Sequence, residues 1–296
     1  MKIFHHGDAD GYAAAFAVYH FHKIEERKNT EFIEMQYGYS VDFNSIEKDE
    51  VVFIVDFSFE IEDMRKLLEI TKNVTWIDHH ISSINKYKDF EYDIPGYRED
   101  GIAACELAYE YMRLIKLDKI KPEDITKEVI HKNIKTIPKF IRLIGDRDVW
   151  KYDFGDETRY FHMRLLHKGL PKPSDVYWTK LFNTNFLEEE LKDGKLLLEF
   201  SNSLNSKAVK SWSYEAEFEG HKILCLNSTT RTSEVFGDKV KDYDFVSVYT
   251  HTGKVFSVSL YSVNMDVNHI AEKFGGGGHA RACGFTCEKL PWIIKD

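Results

Sequence analysis

The segment KIFHHGDADGYAAAFAVYHF, residues 2–21, places His5, His6, Asp8 and Asp10 within six residues. They lie between a short apolar run and an Ala-rich stretch of helical character. Similar residues follow two further apolar runs: Asp56 after Val51–Val55, and Asp78, His79 and His80 after Val74–Ile77. If the three runs are neighbouring strands of an open parallel sheet, their carboxyl ends face one crevice and these side chains meet there. Two carboxylates about 4 Å apart repel by about 4 kcal/mol at an effective dielectric of about 20. No lysine or arginine is interleaved in these turns, so divalent cations are the simplest compensation. Aspartate with a minority of histidine suits Mn²⁺ or a similar ion better than zinc–thiolate chemistry. A pair of ions about 3.5–4 Å apart, sharing a carboxylate, clamps a phosphoryl group and activates water.

Each piece alone has a plainer reading. Asp-x-Asp-Gly is most often a turn. Asp56 can cap a following helix, and His79 and His80 can be surface residues. Their recurrence at three successive strand ends is what points to chemistry.

The elements that must position these residues are legible in the patterning. Residues 2–5, 32–37, 51–55 and 74–77 read as strands, and 51–55 has the continuous apolar character of a strand buried on both faces. Residues 12–27 read as a helix, and Ile61, Met64, Leu67, Leu68 and Thr71 recur at helical spacing. This alternation predicts an α/β fold with a mainly parallel sheet flanked by helices. Residues 105–117 and 128–144 are amphipathic, with Pro138 kinking or dividing the second. A polar helix then joins the first domain to a smaller α/β domain, built of strand-like runs at 213–218, 221–227, 244–250 and 254–261 and a helix at 267–274. The expected organisation is 1–184, a linker helix 185–212, and 213–296.

The 296 residues are 43% hydrophobic and 30% charged, the balance of a globular chain of one large or two ordinary domains. No run of about 18 apolar residues marks a membrane span. The start at Lys2-Ile3-Phe4 reads as a strand and not as a signal peptide. A net charge of −9 argues against gripping long duplex nucleic acid through its phosphates. It leaves room for a short phosphorylated ligand met by metal ions. Cys105, Cys225, Cys283 and Cys287 form no CxxC pair and read as free thiols of a reducing, cytoplasmic setting. A homodimer is compatible with the sequence.

In order, His6-x-Asp8-x-Asp10-Gly11, the lone Asp56 and Asp78-His79-His80 resemble the first three motifs of the DHH phosphoesterases. For the fourth, IRLIGDRDVW supplies Asp146, with Asp148 the second choice. GGGGHARACGF, residues 275–285, resembles the glycine-rich signature of the DHH-associated C-terminal domain. The resemblance covers roughly residues 2–150 and 213–286. It implies two Mn²⁺ ions, with Mg²⁺ or Co²⁺ as substitutes. His6, Asp8 and Asp56 would hold one; Asp10, Asp56, His79 and Asp146 would hold the other. Asp78 would orient His79, as partners of metal-bound histidines do, and His80 would face the scissile phosphate. His5 should point to the opposite face of the pleat. Gly276, Gly277, Gly278, His279 and Arg281 would hold the substrate's distal phosphate or sugar, glycines allowing backbone N–H groups close to an anion. One departure is Ser259-Leu260-Tyr261, where relatives often carry arginine at the third position. Tyr261 there either packs or stacks on a base.

The implied activity is that of a nano-RNase, hydrolysing oligonucleotides of a few residues or linear dinucleotides. A second reading keeps the metals and changes the substrate to cyclic mono- or dinucleotides, nucleotide bisphosphates or polyphosphate. A non-catalytic scaffold would have lost ligands that this chain retains.

Overall fold

The computed structural model describes residues 1–36, 38–229 and 232–294. Strands and helices largely alternate in the first part: β1 (Lys2–His6), α1 (Ala9–Phe21), α2 (Ile24–Arg27), β2 (Glu31–Met35), β3 (Val52–Val55), α3 (Ile61–Ile70), β4 (Val74–Ile77) and α4 (Ile81–Lys86). Helices α5 (Ala104–Lys116), α6 (Lys127–Asn133), α7 (Lys139–Asp148), α8 (Asp156–Lys168), α9 (Val176–Lys180) and α10 (Thr184–Trp212) follow.

The four strands form a parallel sheet in the order β2-β1-β3-β4. His5 lies beside Val55, and Val55 beside Ile77, so three strands end level. From β1 the chain places β2 on one side and β3 on the other. The gap between β1 and β3 is therefore a switch point, where side chains beyond the strand ends open into a crevice. Successive strand residues alternate faces. Ile3, Phe53, Val55 and Ile77 pack with Ala13–Val18 of α1 and with Leu107, Ala108 and Tyr111 of α5. Phe4, Val52, Ile54 and Trp76 pack with Met64, Leu67 and Leu68 of α3. Four of the five alanines of α1, Ala13, Ala14, Ala15 and Ala17, are fully buried, which lets α1 lie close to sheet and α5 alike.

One expected element is divided differently, and another divides at the proline expected to break it. The helix expected over 12–27 begins earlier, inside the polar turn, because Asp8 Oδ1 accepts the Gly11 N–H at 2.9 Å and caps it. It breaks at His22, whose backbone is extended, and α2 resumes separately. The amphipathic run 128–144 splits at Pro138, which stands as the N-cap of α7.

The second part contains β5 (Tyr214–Phe218), β6 (His221–Asn227), β7 (Phe245–His251), β8 (Phe256–Tyr261), α11 (Asn268–Lys273), β9 (Gly277–His279), β10 (Ala282–Cys287) and β11 (Ile293–Ile294). They form a mixed sheet, β11-β5-β6-β7-β8-β10-β9, in which β6 and β7 are parallel and the other pairs antiparallel. Ile270 and Ala271 of α11 pack on Ala216, Phe245, Leu260 and Phe285 of that sheet. The chain divides into two compact units, Met1–Leu198 and Glu199–Asp296, and the division falls inside α10. Among the described residues no helix is long and apolar enough to cross a membrane.

Gly11 is the residue on which the start of α1 turns. A Cβ there would lie 2.3 Å from the His6 carbonyl oxygen. Gly11→Ala is expected to destabilise the protein by about 2 kcal/mol, as overpacking against rigid backbone does. Thermal unfolding of the two proteins checks this.

Candidate metal centre

Beyond the level strand ends, Asp56 is the pivot. It is 1% exposed, and its backbone is left-handed, with φ of 54°. Among the described residues neither of its carboxylate oxygens accepts a hydrogen bond. Oδ2 lies 3.9 Å from His6 Nδ1. Oδ1 lies 3.3 Å from His79 Nε2 and 3.8 Å from His80 Nδ1. One carboxylate thus serves two clusters. In the first, His6 Nδ1 meets Asp8 Oδ2 at 2.6 Å. In the second, His79 Nε2 lies 3.4 Å from Asp148 Oδ2 and 3.7 Å from Asp10 Oδ2. His6, Asp8 and Asp56 have ligand atoms close enough to share an ion, as do Asp10, His79 and Asp148.

Each donor is positioned by an element. Asp10 is buried in the first turn of α1, and its two oxygens accept the Ala104 and Cys105 N–H groups, each at 2.8 Å. Those are orphan donors of the first turn of α5, so the positive end of that helix fixes the carboxylate. The turn carrying Asp56 is held by Trp76, whose indole donates to the Phe57 carbonyl at 2.9 Å. Ser58 and Ser83 share a hydrogen bond at 2.7 Å that ties the same turn to α4. His5 turns away, as the pleat requires, and meets the Tyr12 ring at 4.6 Å.

The electrostatics are those of a site short of positive charge. Burial, reinforced by Asp10, Asp8, Asp148 and Asp78, pushes the Asp56 carboxyl well above the usual range. Burial together with Asp10 and Asp8 raises Asp148 to about 8. Glu106 of α5 rises to about 7 through burial and the Asp10 charge. Burial opposes ionisation of Asp8, but its His6 hydrogen bond and the Gly11 N–H bring it down to about 2. The Asp8 hydrogen bond raises His6. Burial works against a proton on His80, which Asp78 and the other carboxylates overcome. A buried carboxylate with no donor, acted on by four more carboxylates and flanked by three imidazoles, fits divalent ions: two cations would supply the charge this cluster lacks.

Two expected roles need correction. Asp146, expected as a ligand, faces elsewhere. Its carboxylate accepts the Asp153 N–H at 2.8 Å, the Phe154 N–H at 3.3 Å and the Thr158 hydroxyl. Asp148 takes the place beside His79 and Asp10. Residues two apart on a helix point about 200° apart, so only one of the pair can reach the cluster. The choice is set by close packing of α7 on α5, where a Cβ at Gly145 would lie 2.7 Å from Glu106 Oε2. Asp78, expected behind His79, instead grips the other ring. Its Oδ1 accepts His80 Nδ1 at 2.7 Å, and the His79 and His80 backbone N–H groups at 2.8 and 3.2 Å. Glu106 was not expected at all, and no sequence signal marks it.

The glycine-rich stretch of the second unit is a hairpin, β9 pairing with β10 through a turn at Ala280 and Arg281. Gly276 and Gly278 are required by the hairpin itself: a Cβ would lie 2.1 Å from the Gly284 carbonyl oxygen in the first case and 2.7 Å from that of Ala282 in the second. Gly277 has nothing closer to its would-be Cβ than Asn268 Oδ1 at 3.9 Å. Arg281 is exposed. Tyr261 lies beside Ala282 and packs against the apolar cluster of Val209, Leu224 and Val246. The His279 side chain is outside the described residues.

The family model described as DHH family, N-terminal domain, matches residues 1–134. Oligoribonuclease NrnB of Bacillus subtilis is 23% identical over 276 residues, covering 84% of this chain and 63% of the relative. The chain spans about two thirds of the length of the curated relatives it matches, 67% and 63%. Among solved structures, the DHH domain of PF0399, a member of a family of ribosomal proteins, aligns with a TM-score of 0.61 at 17% identity, over 99% of this chain and 82% of that one. RecJ of Thermus thermophilus in complex with Mn²⁺ aligns with a TM-score of 0.50 at 12% identity, over 96% and 49%.

The exchange of Asp146 for Asp148 is open to measurement. Asp148→Asn is expected to lower Mn²⁺ affinity by about tenfold or more, whereas Asp146→Asn should leave affinity near wild type and lower thermal stability. Isothermal titration and thermal unfolding separate the two. The raised carboxyls also set a pH dependence. Between the unfolded value near 4 and the folded value of about 8 for Asp148, the metal-free native state holds protons that the unfolded chain has lost. Stability of EDTA-treated protein should therefore fall as pH rises from about 4 to about 8. Stabilisation by added Mn²⁺ should grow over the same interval, because ligands bind ionised. Melting temperatures at pH 5 and pH 8, with and without Mn²⁺, check both signs.

Proposed function

We propose, for a chain whose residues 1–134 carry the N-terminal domain of the DHH family, that it is a metal-dependent phosphodiesterase hydrolysing short oligonucleotides or linear dinucleotides to mononucleotides. The observation that carries the reading is Asp56, a buried carboxylate without a hydrogen-bond donor, grouped with His6 and Asp8 on one side and with His79 and His80 on the other. His6, Asp8 and Asp56 would hold one ion, and Asp10, Asp56, His79 and Asp148 the other. Oxygen and imidazole donors suit manganese, with magnesium or cobalt as substitutes. When bound, such ions supply Lewis acidity and a water activated near neutral pH.

The chain's own residues do the rest. Asp78 sets the His80 ring, which stands to carry a proton toward the scissile phosphate. The α5 N-terminus keeps Asp10 aimed through the Ala104 and Cys105 N–H groups. In the second unit, the reading gives Gly276, Gly277, Gly278, His279 and Arg281 to the substrate backbone, with Gly277 the glycine whose missing side chain the hairpin does not itself require. Tyr261 packs in place of a phosphate-binding arginine. The net charge of −9 favours a short ligand over a long duplex. The oligoribonuclease activity named for the Bacillus relative supports the substrate class.

The test is a chromatographic time course with Mn²⁺ and 5′-phosphorylated RNAs of graded length, starting from the dinucleotide. Mononucleotides should appear fastest from the shortest members, and Asp56→Ala should lose more than about a hundredfold in rate, since both clusters lose a ligand. An inert ladder with metal bound would move the reading to cyclic nucleotides, nucleotide bisphosphates or polyphosphate, the substrates that the Tyr261 departure leaves open.

A further inference from the structure

The segment directly after Asp148 is strained in a way its sequence does not require. Trp150 and Tyr152 both have left-handed backbone, φ 55° and 56°. For bulky aromatic residues that conformation is an outlier, and such outliers persist where the surrounding structure over-determines them. Here it does. Lys151 N–H donates to the Asp146 carbonyl at 3.1 Å. The Asp146 carboxylate holds the Asp153 and Phe154 N–H groups and the Thr158 hydroxyl. The Lys151 ammonium donates to the Gly101 carbonyl at 2.6 Å. All this fixes a turn whose most prominent product is an indole left 53% exposed in water.

Beneath the indole lies a cation. The Arg147 guanidinium is 4.1 Å from the Trp150 ring centre and 5.9 Å from that of Tyr152. The two rings meet edge to face at 5.9 Å. Arg159 closes the far side, 4.7 Å from the Tyr152 ring. Among the described residues Arg147 has no carboxylate within ion-pair distance, and its Nε finds no acceptor. It immediately precedes Asp148, and its charge acts on that carboxylate. A rigid, exposed aromatic face backed by arginine, two residues from a metal-ligating position, has the make-up of a base-stacking platform, because every nucleobase has a π-face and arginine strengthens the stack.

We infer that Trp150, held in its strained turn by Asp146 and backed by Arg147, stacks on a nucleobase of the substrate and so selects nucleotides over other phosphoesters. This rests on the proposed metal centre and names the substrate feature recognised beside it. It also gives Asp146 a role: it positions the platform, while Asp148 serves the metal.

The experiment compares two ligands that share a phosphate and a ribose and differ in the base. Binding of AMP and of ribose 5-phosphate to Mn²⁺-loaded protein is measured by equilibrium dialysis, for wild type, Trp150→Ala and Trp150→Phe. Wild type should prefer AMP by about tenfold. Trp150→Phe should keep most of that preference, and Trp150→Ala should bind the two ligands alike with unchanged affinity for ribose 5-phosphate. Retention of the preference by Trp150→Ala, or its absence in wild type, overturns the platform. Turnover of the RNA dinucleotide by the same proteins is read alongside. A base preference that depends on Trp150 without any dinucleotide cleavage would sink the oligonucleotide reading and leave the platform standing. Cleavage with a KM indifferent to Trp150 would do the reverse.

Discussion

A carboxylate that the protein buries and leaves without a donor organises this molecule. Asp56 sits at the end of β3 with one oxygen toward His6 and the other toward His79 and His80. Burying an ionised carboxylate without a hydrogen-bond donor costs several kcal/mol or more, and burial accordingly pushes the Asp56 carboxyl well above its usual range. The fold therefore carries an electrostatic deficit at one point, and the surrounding side chains are arranged around where positive charge must come. Asp56 reaches that point because β3 lies next to β1 at the place where the strand order reverses, and because its residue tolerates left-handed backbone better than most.

The supports of the other donors are of a different kind, and each uses secondary structure already present. Asp10 borrows the orphan N–H groups of α5. Asp8 begins α1 by capping it while presenting its second oxygen to His6. His80 is set by Asp78, which also fills two backbone donors of its own turn. Capping, helix dipoles and turn formation would be needed in any α/β fold. Here the same groups also fix ligand geometry, so the rigidity of the centre comes at little additional ordering cost.

Much of this was legible in the sequence. Apolar runs ending in His6, Asp56 and Asp78 announced parallel strands with polar ends, since strands buried on both faces leave their chemistry to the turns. The Ala-rich stretch after the first strand announced a helix. What was not legible depended on helix phase and turn geometry. Asp146 and Asp148 are equivalent to any pattern argument, because Phe140, Ile141, Leu143 and Ile144 are buried on more than one face of α7. The folded chain buries Asp146 against the turn after α7 and leaves Asp148 beside His79. That Asp78 curls back to His80 and not to His79 follows from the dihedral angles of a short turn. The left-handed conformations of Trp150 and Tyr152 leave no trace in residue type, for such positions ordinarily call for glycine or asparagine. The glycines of 275–278 illustrate the opposite case: a run that resembles an anion-binding signature is partly explained, at Gly276 and Gly278, by backbone too close for side chains.

The division of the chain inside α10 has an evolutionary consequence. Every residue of the two ligand clusters belongs to the unit Met1–Leu198, where Asp10 and Asp56 are buried and Asp8 caps α1. Substitutions there are exposed to selection on folding and on reactivity at once, so that unit should change slowly. The unit Glu199–Asp296 has its own sheet and core, and among the described residues the clusters draw no ligand from it. It is free to accept changes such as tyrosine at position 261 without disturbing the reactive centre. Lineages built on this plan can therefore diversify in what they act upon while inheriting one chemistry intact, and the two histories should be readable at different rates along a single chain.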